Sequence, residues 1–122
     1  DRVYTECNTC ISLNVEGKTA ELQVRDIISI NAADYYSRVL CSGKPRDGWL
    51  VKKTLKAWET ELPGEVMYRI SRHVILNMEN IERYEGRTIT MVNGDVYTIP
   101  KGRVKKFREV YFTYMKRYGR IL

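Results

Sequence analysis

The sequence YRISRHVILN, residues 68–77, holds two apolar runs on either side of a short polar centre. Short apolar runs of this kind are typical of strands. They predict one strand at residues 66–70 and another at residues 73–76, with Ser71 and Arg72 between them. The stretch therefore predicts β-structure at the centre of the chain.

Strand patterns continue towards the amino end. Apolar and polar residues alternate over residues 11–15 and again over residues 20–24, and residues 16–18 supply a turn between them. This alternation predicts a hairpin. Further strands are predicted at residues 27–30, 36–41 and 49–51.

Strand patterns also continue towards the carboxyl end. Strands predicted at residues 88–92 and 95–99 flank Asn93-Gly94. Both residues tolerate positive φ, so the pair favours a type I′ turn. This segment is therefore predicted to be a second hairpin.

Two helices complete the pattern. Thr54 can cap a short helix that Pro63-Gly64 stops, with apolar residues at steps of three and four. A second helix near the carboxyl end has the same spacing, and we expect its aromatic stripe to pack in the core. The apolar positions are Leu55, Trp58 and Leu62 in the first helix, and Val104, Phe107, Val110, Tyr111, Tyr114, Met115 and Tyr118 in the second.

Positive charge is concentrated in the second helix and the residues before it. The whole chain carries a net charge of +6, yet residues 101–122 hold eight basic residues and one acidic residue, a net of +7, while residues 1–100 carry −1. A field concentrated in this way favours a polyanionic partner, such as nucleic acid, an acidic protein or an anionic lipid.

Composition limits the kinds of protein that the chain can be. Its 122 residues suffice for one domain, and 43% apolar against 30% charged residues is typical of a folded one. No stretch has the roughly 18 consecutive apolar residues of a membrane span. With one His, no Gly-rich phosphate loop and no nucleophile motif, the sequence does not indicate an enzyme, a metal site or a cofactor.

The cysteines indicate the redox compartment of the protein, and the first residue indicates whether another domain precedes the chain. Cys7 and Cys10 form a C-x-x-C pair, but no second pair follows at zinc-ligand spacing, so we expect ordinary thiols in a reduced, cytoplasmic protein. The chain begins at Asp1 and not at Met, which suggests that an upstream domain is missing.

Taken together, these elements resemble the LytTR family of DNA-binding domains, the output domains of many bacterial response regulators. Residues 68–77 are similar to the family signature F-x-R-x-H-R-S-φ-φ-V-N (φ apolar), although Ser71 and His73 stand where the family usually has His and Ser. The resemblance covers roughly residues 11–116. It implies a mainly β fold, an elongated set of small antiparallel sheets with two short helices, one of them the basic C-terminal helix. Residues 1–10 would be a linker stub or first strand, and residues 11–122 the DNA-binding domain.

The resemblance also implies three DNA-contacting segments between regular elements, at residues 34–38, 71–73 and 101–103. We expect base contacts from Ser37, Arg72 and Arg103. An arginine such as Arg72 can bond guanine O6 and N7 together, whereas lysines mainly neutralise phosphates. The expected backbone contacts are Asp34, Tyr35, Arg38, Ser71, His73, Lys101, Gly102, Lys105 and Lys106.

Several of these residues also have a structural interpretation. Arg72 could be a surface ion-pair residue, and His73 a packed or surface histidine. We assign Arg69 to an ion pair or strand-face contact and Asn77 to a turn. The two tryptophans, Trp49 and Trp58, are expected in the core.

The function that follows is sequence-specific binding of double-stranded DNA by a transcriptional regulator, as the output domain of a two-component response regulator. Family members typically bind paired direct repeats, and a dimer on DNA and a receiver domain upstream of this chain are expected. The alternative is a basic module for an acidic protein or an anionic lipid, which would be indifferent to DNA sequence. Membrane binding is not favoured because the aromatic stripe is expected in the core.

Overall fold

Ten strands and two α-helices make up the part of the chain that a computed structural model describes, residues 10–15, 17–43 and 45–118. Short 3-10 turns lie at Val24–Asp26, Met78–Asn80 and Lys101–Arg103. The strands are β1 (Cys10–Val15), β2 (Lys18–Gln23), β3 (Ile27–Ala33), β4 (Tyr36–Cys41), β5 (Trp49–Val51), β6 (Met67–Ser71), β7 (Val74–Asn77), β8 (Ile81–Glu85), β9 (Thr88–Met91) and β10 (Val96–Thr98). The helices are α1 (Leu55–Glu61) and α2 (Val104–Tyr118).

The strands form three antiparallel sheets, which confirms the expected mainly β architecture. A five-stranded sheet in the order β5-β4-β3-β7-β6 lies at the centre, with β1-β2 and β10-β9-β8 as smaller sheets. In the central sheet Ile30 pairs with Val39 on one side and with Ile75 on the other, and all three are buried. The strand pair predicted at residues 66–76 is thus β6 and β7, at one side of this sheet.

One apolar cluster joins the central sheet to α1 and to the β1-β2 hairpin. Trp58 of α1 is fully buried in it, with Leu13 of β1 and Val39 of β4. Thr54 caps α1 as predicted, since its Oγ1 accepts a hydrogen bond from the Ala57 backbone N–H at 3.2 Å. Trp49 is only partly buried against this cluster, so of the two tryptophans expected in the core only Trp58 is fully buried there.

A second apolar cluster joins the central sheet to the β8-β9-β10 sheet and to α2. Phe107 and Tyr114 of α2 are buried there, and the other apolar residues of the predicted stripe pack partly buried against them. Tyr84 of β8 meets the Phe107 ring edge-on, at a centroid distance of 5.1 Å. The aromatic stripe is therefore core packing, as the sequence predicts.

Strand β8 was not predicted from the sequence. Glu82 and Glu85, with Glu79 just before the strand, are spaced by three residues, which is not the alternation of a strand. A bulge between Ile81 and Arg83 shifts the register, so the inward-facing Ile81 and Tyr84 are three residues apart instead of two. The bulge thus hides the alternation that identifies a strand.

The β9-β10 hairpin is confirmed, but its turn differs from the predicted type I′. Gly94 has φ of +93°, and Asn93 is not among the described residues with positive φ. Gly94 N–H donates to the Met91 carbonyl at 2.9 Å, and Met91 N–H donates to the Asp95 carbonyl at 2.8 Å. The loop therefore has three residues, and Gly94 alone takes the left-handed position.

Candidate nucleic-acid interface

Two of the expected contact segments lie at the same end of the central sheet. β3 runs antiparallel to β7, so the turn that leaves β3 lies beside the turn that enters β7. Ala32 N–H donates to the His73 carbonyl at 2.8 Å, which joins the two turns directly. β3 continues to Ala33, three residues beyond its predicted end, and this extension brings the turns together. We call residues 34–36, 52 and 71–73 the turn edge.

The β3-β4 turn presents two aromatic rings and a strained aspartate. Asp34 has φ of +59°, a region that favours glycine, and occupies the first position of a two-residue loop. The next residue, Tyr35, is 80% exposed, and Tyr36 is 41% exposed. Arg38 is also exposed, with its Nη1 donating to the Asp47 carbonyl at 3.0 Å. Asp34, Tyr35 and Tyr36 are therefore accessible to a large partner at the turn edge, whereas the Arg38 guanidinium is directed towards the loop before β5.

Ser37 is a correction to the expected contacts. The residue is fully buried, and its Oγ accepts a hydrogen bond from Trp58 Nε1 at 2.7 Å. Because β4 alternates its side chains between faces, the exposed Tyr36 and Arg38 leave Ser37 pointing into the core. The expectation of a base contact from Ser37 is therefore wrong for this conformation.

The β6-β7 turn presents Arg72 and His73 to solvent. Ser71 Oγ accepts a hydrogen bond from the His73 backbone N–H at 3.1 Å, so Ser71 shapes the turn as well as flanking it. Arg72 Nε lies 3.4 Å from His73 Nε2. Among the described residues no acidic side chain pairs with Arg72, so the ion-pair interpretation of Arg72 finds no partner there.

Arg69 and Asn77 have the structural roles that the sequence indicates. Arg69 Nη1 lies 2.8 Å from Glu59 Oε1. Asn77 is buried and donates to the Val24 and Ile27 carbonyls at 3.1 and 2.7 Å, while its Oδ1 accepts from Glu79 N–H at 2.9 Å. Asn77 thus joins β7 to the start of β3.

The third segment lies beside the β6-β7 turn. Residues 101–103 form a 3-10 turn that leads directly into α2, and all three are exposed. Arg103, Arg72 and Arg69 line a common groove of about 510 Å³. Lys105 and Lys106, in the first turn of α2, are exposed too. The structure therefore brings Arg72 and Arg103, two of the three expected base contacts, to one groove.

Lys52 is a residue of the turn edge that the sequence did not single out. Val51 of β5 pairs with Ser37 of β4, so the residue after β5 lies at the same sheet end as Tyr36. Lys52 is exposed, and it lines a cleft together with Tyr36. The signal in the sequence was the pair Lys52-Lys53 directly after a strand. Lys53 is engaged elsewhere, in an ion pair with Glu61 and over the Trp58 ring.

Other kinds of site have little support in the described part of the chain. No group of three or more His, Cys, Asp or Glu side chains that could hold a metal is present among those residues. None of the described helices combines the length and apolar content needed to cross a membrane. Cys10 is an exposed free thiol and Cys41 a half-buried one, whereas Cys7 lies outside the described residues.

Comparisons with known proteins identify the family of this chain. The family model described as the LytTr DNA-binding domain matches residues 17–111. A solved structure, the LytTr DNA-binding domain of a protein described as a methyl-accepting/DNA response regulator from Bacillus cereus, has the same fold. Its TM-score is 0.70 at 19% identity, and the match covers 84% of this chain and 95% of that chain. Comparison with curated proteins gave no match. LytTR is a family of DNA-binding domains and not of enzymes, and this chain belongs to it.

Proposed function

We propose that the chain binds double-stranded DNA sequence-specifically and reads major-groove bases with its turn edge and with Arg103. One observation carries the proposal: Arg72 and Arg103, from segments 30 residues apart in sequence, are both exposed and line one groove. A guanidinium can bond guanine O6 and N7 together, and each such contact contributes roughly 1 to 3 kcal/mol of discrimination. Arg72 and Arg103 are therefore the proposed base readers.

The β3-β4 turn is the other proposed contact to the groove. With Ser37 buried, this contact falls to Asp34 and Tyr35, which are exposed in the turn; Arg38, exposed on β4, would reach a phosphate only by leaving the Asp47 carbonyl. Tyr35 can donate its hydroxyl to a phosphate or pack on a sugar. Asp34 can accept from cytosine N4 in the groove but repels a phosphate.

The remaining contacts are to the phosphate backbone. Lysines neutralise phosphates and set the register of the protein without carrying sequence information. Lys52 extends the expected set, because it lies at the turn edge beside Tyr36. The proposed backbone contacts are Lys52, Ser71, His73, Lys101, Gly102, Lys105 and Lys106, all exposed except the half-buried Ser71.

In its wider setting we propose that the chain is the output domain of a two-component response regulator in the cytoplasm. The solved relative comes from a protein described as a response regulator, which supports this setting. The sites would be paired direct repeats occupied by a dimer, with a receiver domain upstream controlling occupancy.

Selection of binding sites from a random duplex pool tests the proposal. The enriched duplex is then titrated by fluorescence anisotropy across a salt series, beside a scrambled duplex. We expect an enriched direct repeat bound on the order of a thousandfold more tightly than the scrambled duplex. An unenriched pool, with binding lost at physiological salt, would contradict the proposal and favour the basic module for an acidic protein or anionic lipid.

Two substitutions separate base readers from phosphate contacts. Arg72→Ala should lower affinity for the selected duplex while leaving affinity for scrambled DNA nearly unchanged. Lys105→Ala should weaken binding to both duplexes alike and lower the slope of log affinity against log salt by about one. Arg25→Ala is the control, since Arg25 is exposed at the start of β3, opposite the turn edge. Equal losses on both duplexes for Arg72→Ala would exclude it as a reader.

A further inference from the structure

We propose that Arg69 and Glu59 are positioning residues that hold the β6-β7 turn in the conformation needed for Arg72 to read DNA. The inference rests on the proposed function, and it assigns part of the sequence specificity to α1, a helix outside the turn edge. Neither residue is proposed to contact DNA.

The hydrogen bonds of the Arg69 guanidinium carry the proposal. Nε donates to the Ser71 carbonyl at 3.2 Å, and Nη2 donates to the Arg72 carbonyl at 3.1 Å. Nη1 donates to Glu59 Oε1 at 2.8 Å. One planar group thus joins two consecutive carbonyls of the turn to a carboxylate of α1.

The β6-β7 pairing explains why this turn needs such support. The register between the two strands shifts between Arg69 and Ser71, so the ladder is irregular just before the turn. Side-chain donors can satisfy carbonyls that an irregular ladder leaves without a strand partner. Arg69 supplies donors to two consecutive carbonyls next to this irregularity, and its rigid, forked shape fixes the carbonyls relative to each other.

The surroundings of Arg69 distinguish it from a phosphate contact. Its side chain is only 26% exposed, and the Glu59 carboxylate lies against its charge. Arg72 and Arg103, in the same groove, have no acidic partner among the described residues. A phosphate would therefore meet Arg72 and Arg103 as uncompensated cations and Arg69 as one already neutralised.

The test compares Arg69→Gln, Arg69→Lys and Glu59→Gln with the wild-type chain. Glu61→Gln is the matched control, because Glu61 lies on the same helix and pairs with Lys53 instead. Exposed ion pairs contribute little to stability, so each variant should stay folded, which circular dichroism and thermal unfolding would verify. Affinities for the selected and scrambled duplexes are measured across a salt series.

The measured quantity is the affinity for the selected duplex divided by the affinity for the scrambled duplex. We expect Arg69→Gln and Glu59→Gln to lower this ratio on the order of tenfold, which is the effect of one misplaced base contact. The salt slope should not change. Arg69→Lys should not rescue specificity, because an ammonium keeps the charge but not the fork of donors. Glu61→Gln should match the wild type.

Two results of the binding measurements would overturn the proposal. In the first, Arg69→Gln weakens binding to both duplexes equally and lowers the salt slope by about one, while Arg69→Lys binds like the wild type. Arg69 would then be a phosphate contact. In the second, Glu61→Gln changes the affinity ratio as much as Glu59→Gln does, and the effect would then be one of helix charge alone.

An experiment without DNA distinguishes this proposal from the proposed function. Amide chemical shifts of the free protein should change at residues 71–73 in Arg69→Gln and Glu59→Gln, and not in Glu61→Gln. If wild-type protein shows no sequence preference, the proposed function fails whether or not these shifts change. If it shows a preference and residues 71–73 are unaffected by both substitutions, the positioning role fails alone.

Discussion

Trp58 Nε1 and Ser37 Oγ form a buried hydrogen bond of 2.7 Å between α1 and β4. An indole N–H can only donate a hydrogen bond, so a buried Trp58 needs an acceptor at this point. Ser37 supplies that acceptor one residue beyond the exposed Tyr36. Burial thus assigns Ser37 to the core even though it follows the turn closely in sequence.

Ser37→Ala should lower the free energy of unfolding by about 1 to 3 kcal/mol, because it leaves the buried Trp58 N–H without a partner. Chemical denaturation measures this change. Ser42→Ala is the control, since Ser42 is exposed at the end of β4 and should change stability by less than about 0.5 kcal/mol. An unchanged stability for Ser37→Ala, with a loss of DNA sequence preference, would restore Ser37 as a base contact.

The Cys41 thiol gives a pH-dependent prediction. Burial, with a smaller contribution from the Asp26 carboxylate, raises the pKa of Cys41 to about 11 from its ordinary 9.0. The folded state therefore favours the thiol, and the stability from this group is present below pH 9 and is lost as the pH rises towards 11. With Cys7 and Cys10 replaced by Ser, the alkylation rate of Cys41 should rise about tenfold between pH 9 and pH 10, because the thiolate fraction is still small there. A rise of only about twofold, levelling off above pH 10, would contradict the raised pKa.

The helix α1 is short and depends on its neighbours for stability. It spans seven residues, fewer than an isolated helix needs for stability in water. Thr54 caps the start of the helix, and the buried Trp58 fixes its inner face. The ion pair between Glu59 and Arg69 fixes its outer face. Trp58 bonds Ser37 of β4, and Glu59 bonds Arg69 of β6. Because Trp58 and Glu59 are adjacent, one part of α1 contacts both the strand after the β3-β4 turn and the strand before the β6-β7 turn.

Thr54→Ala should lower the free energy of unfolding by about 1 kcal/mol, because the N–H of Ala57 loses its side-chain acceptor. Thermal or urea unfolding measures the loss. Thr60→Ala, in the same helix and exposed, removes a hydroxyl that donates to the Ala57 carbonyl and should have a much smaller effect. Equal effects of the two substitutions would show that the cap does not stabilise α1.

The complete fold places the basic first turn of α2 next to the groove that Arg72 and Arg103 line. Arg103, directly before α2, lines the same groove as Arg72. Near the other end of α2, Arg117 pairs with Glu65, which lies just before β6. The helix therefore leads away from the turn edge on the β6 side of the sheet. This placement supports phosphate contacts from the first turn of α2, where Lys105 and Lys106 lie.

Much of this fold could be predicted from the sequence, because local patterns specify most of its elements. The alternation in β1 and β2, the Thr54 cap and the spacing of the aromatic residues in α2 depend on neighbours within a few residues. β8 and the length of β3 could not be predicted in the same way. In β8 a bulge disturbs the alternation, and in β3 the last residues are held by pairing with β4 and His73.

The candidate site was partly predictable for the same reason. Exposure of Arg72 and Arg103 follows from their place between regular elements, but their shared groove depends on how β6 packs beside α2. The burial of Ser37 depends on α1, some twenty residues later in the chain, which supplies Trp58. Lys52 reaches the turn edge only because β5 pairs with β4. These are long-range contacts that no local pattern encodes.

The proposed DNA-binding surface consists of the turn edge together with residues 101–103. Amide chemical-shift changes on adding the selected duplex to isotope-labelled protein test this surface most directly. We expect the largest changes at residues 34–36, 71–73 and 101–103, with little change at Arg25 and at Gly86 in the β8-β9 turn. Changes centred on the outer face of α2 at Arg108, Phe112 and Lys116, with the turn edge unaffected, would contradict it.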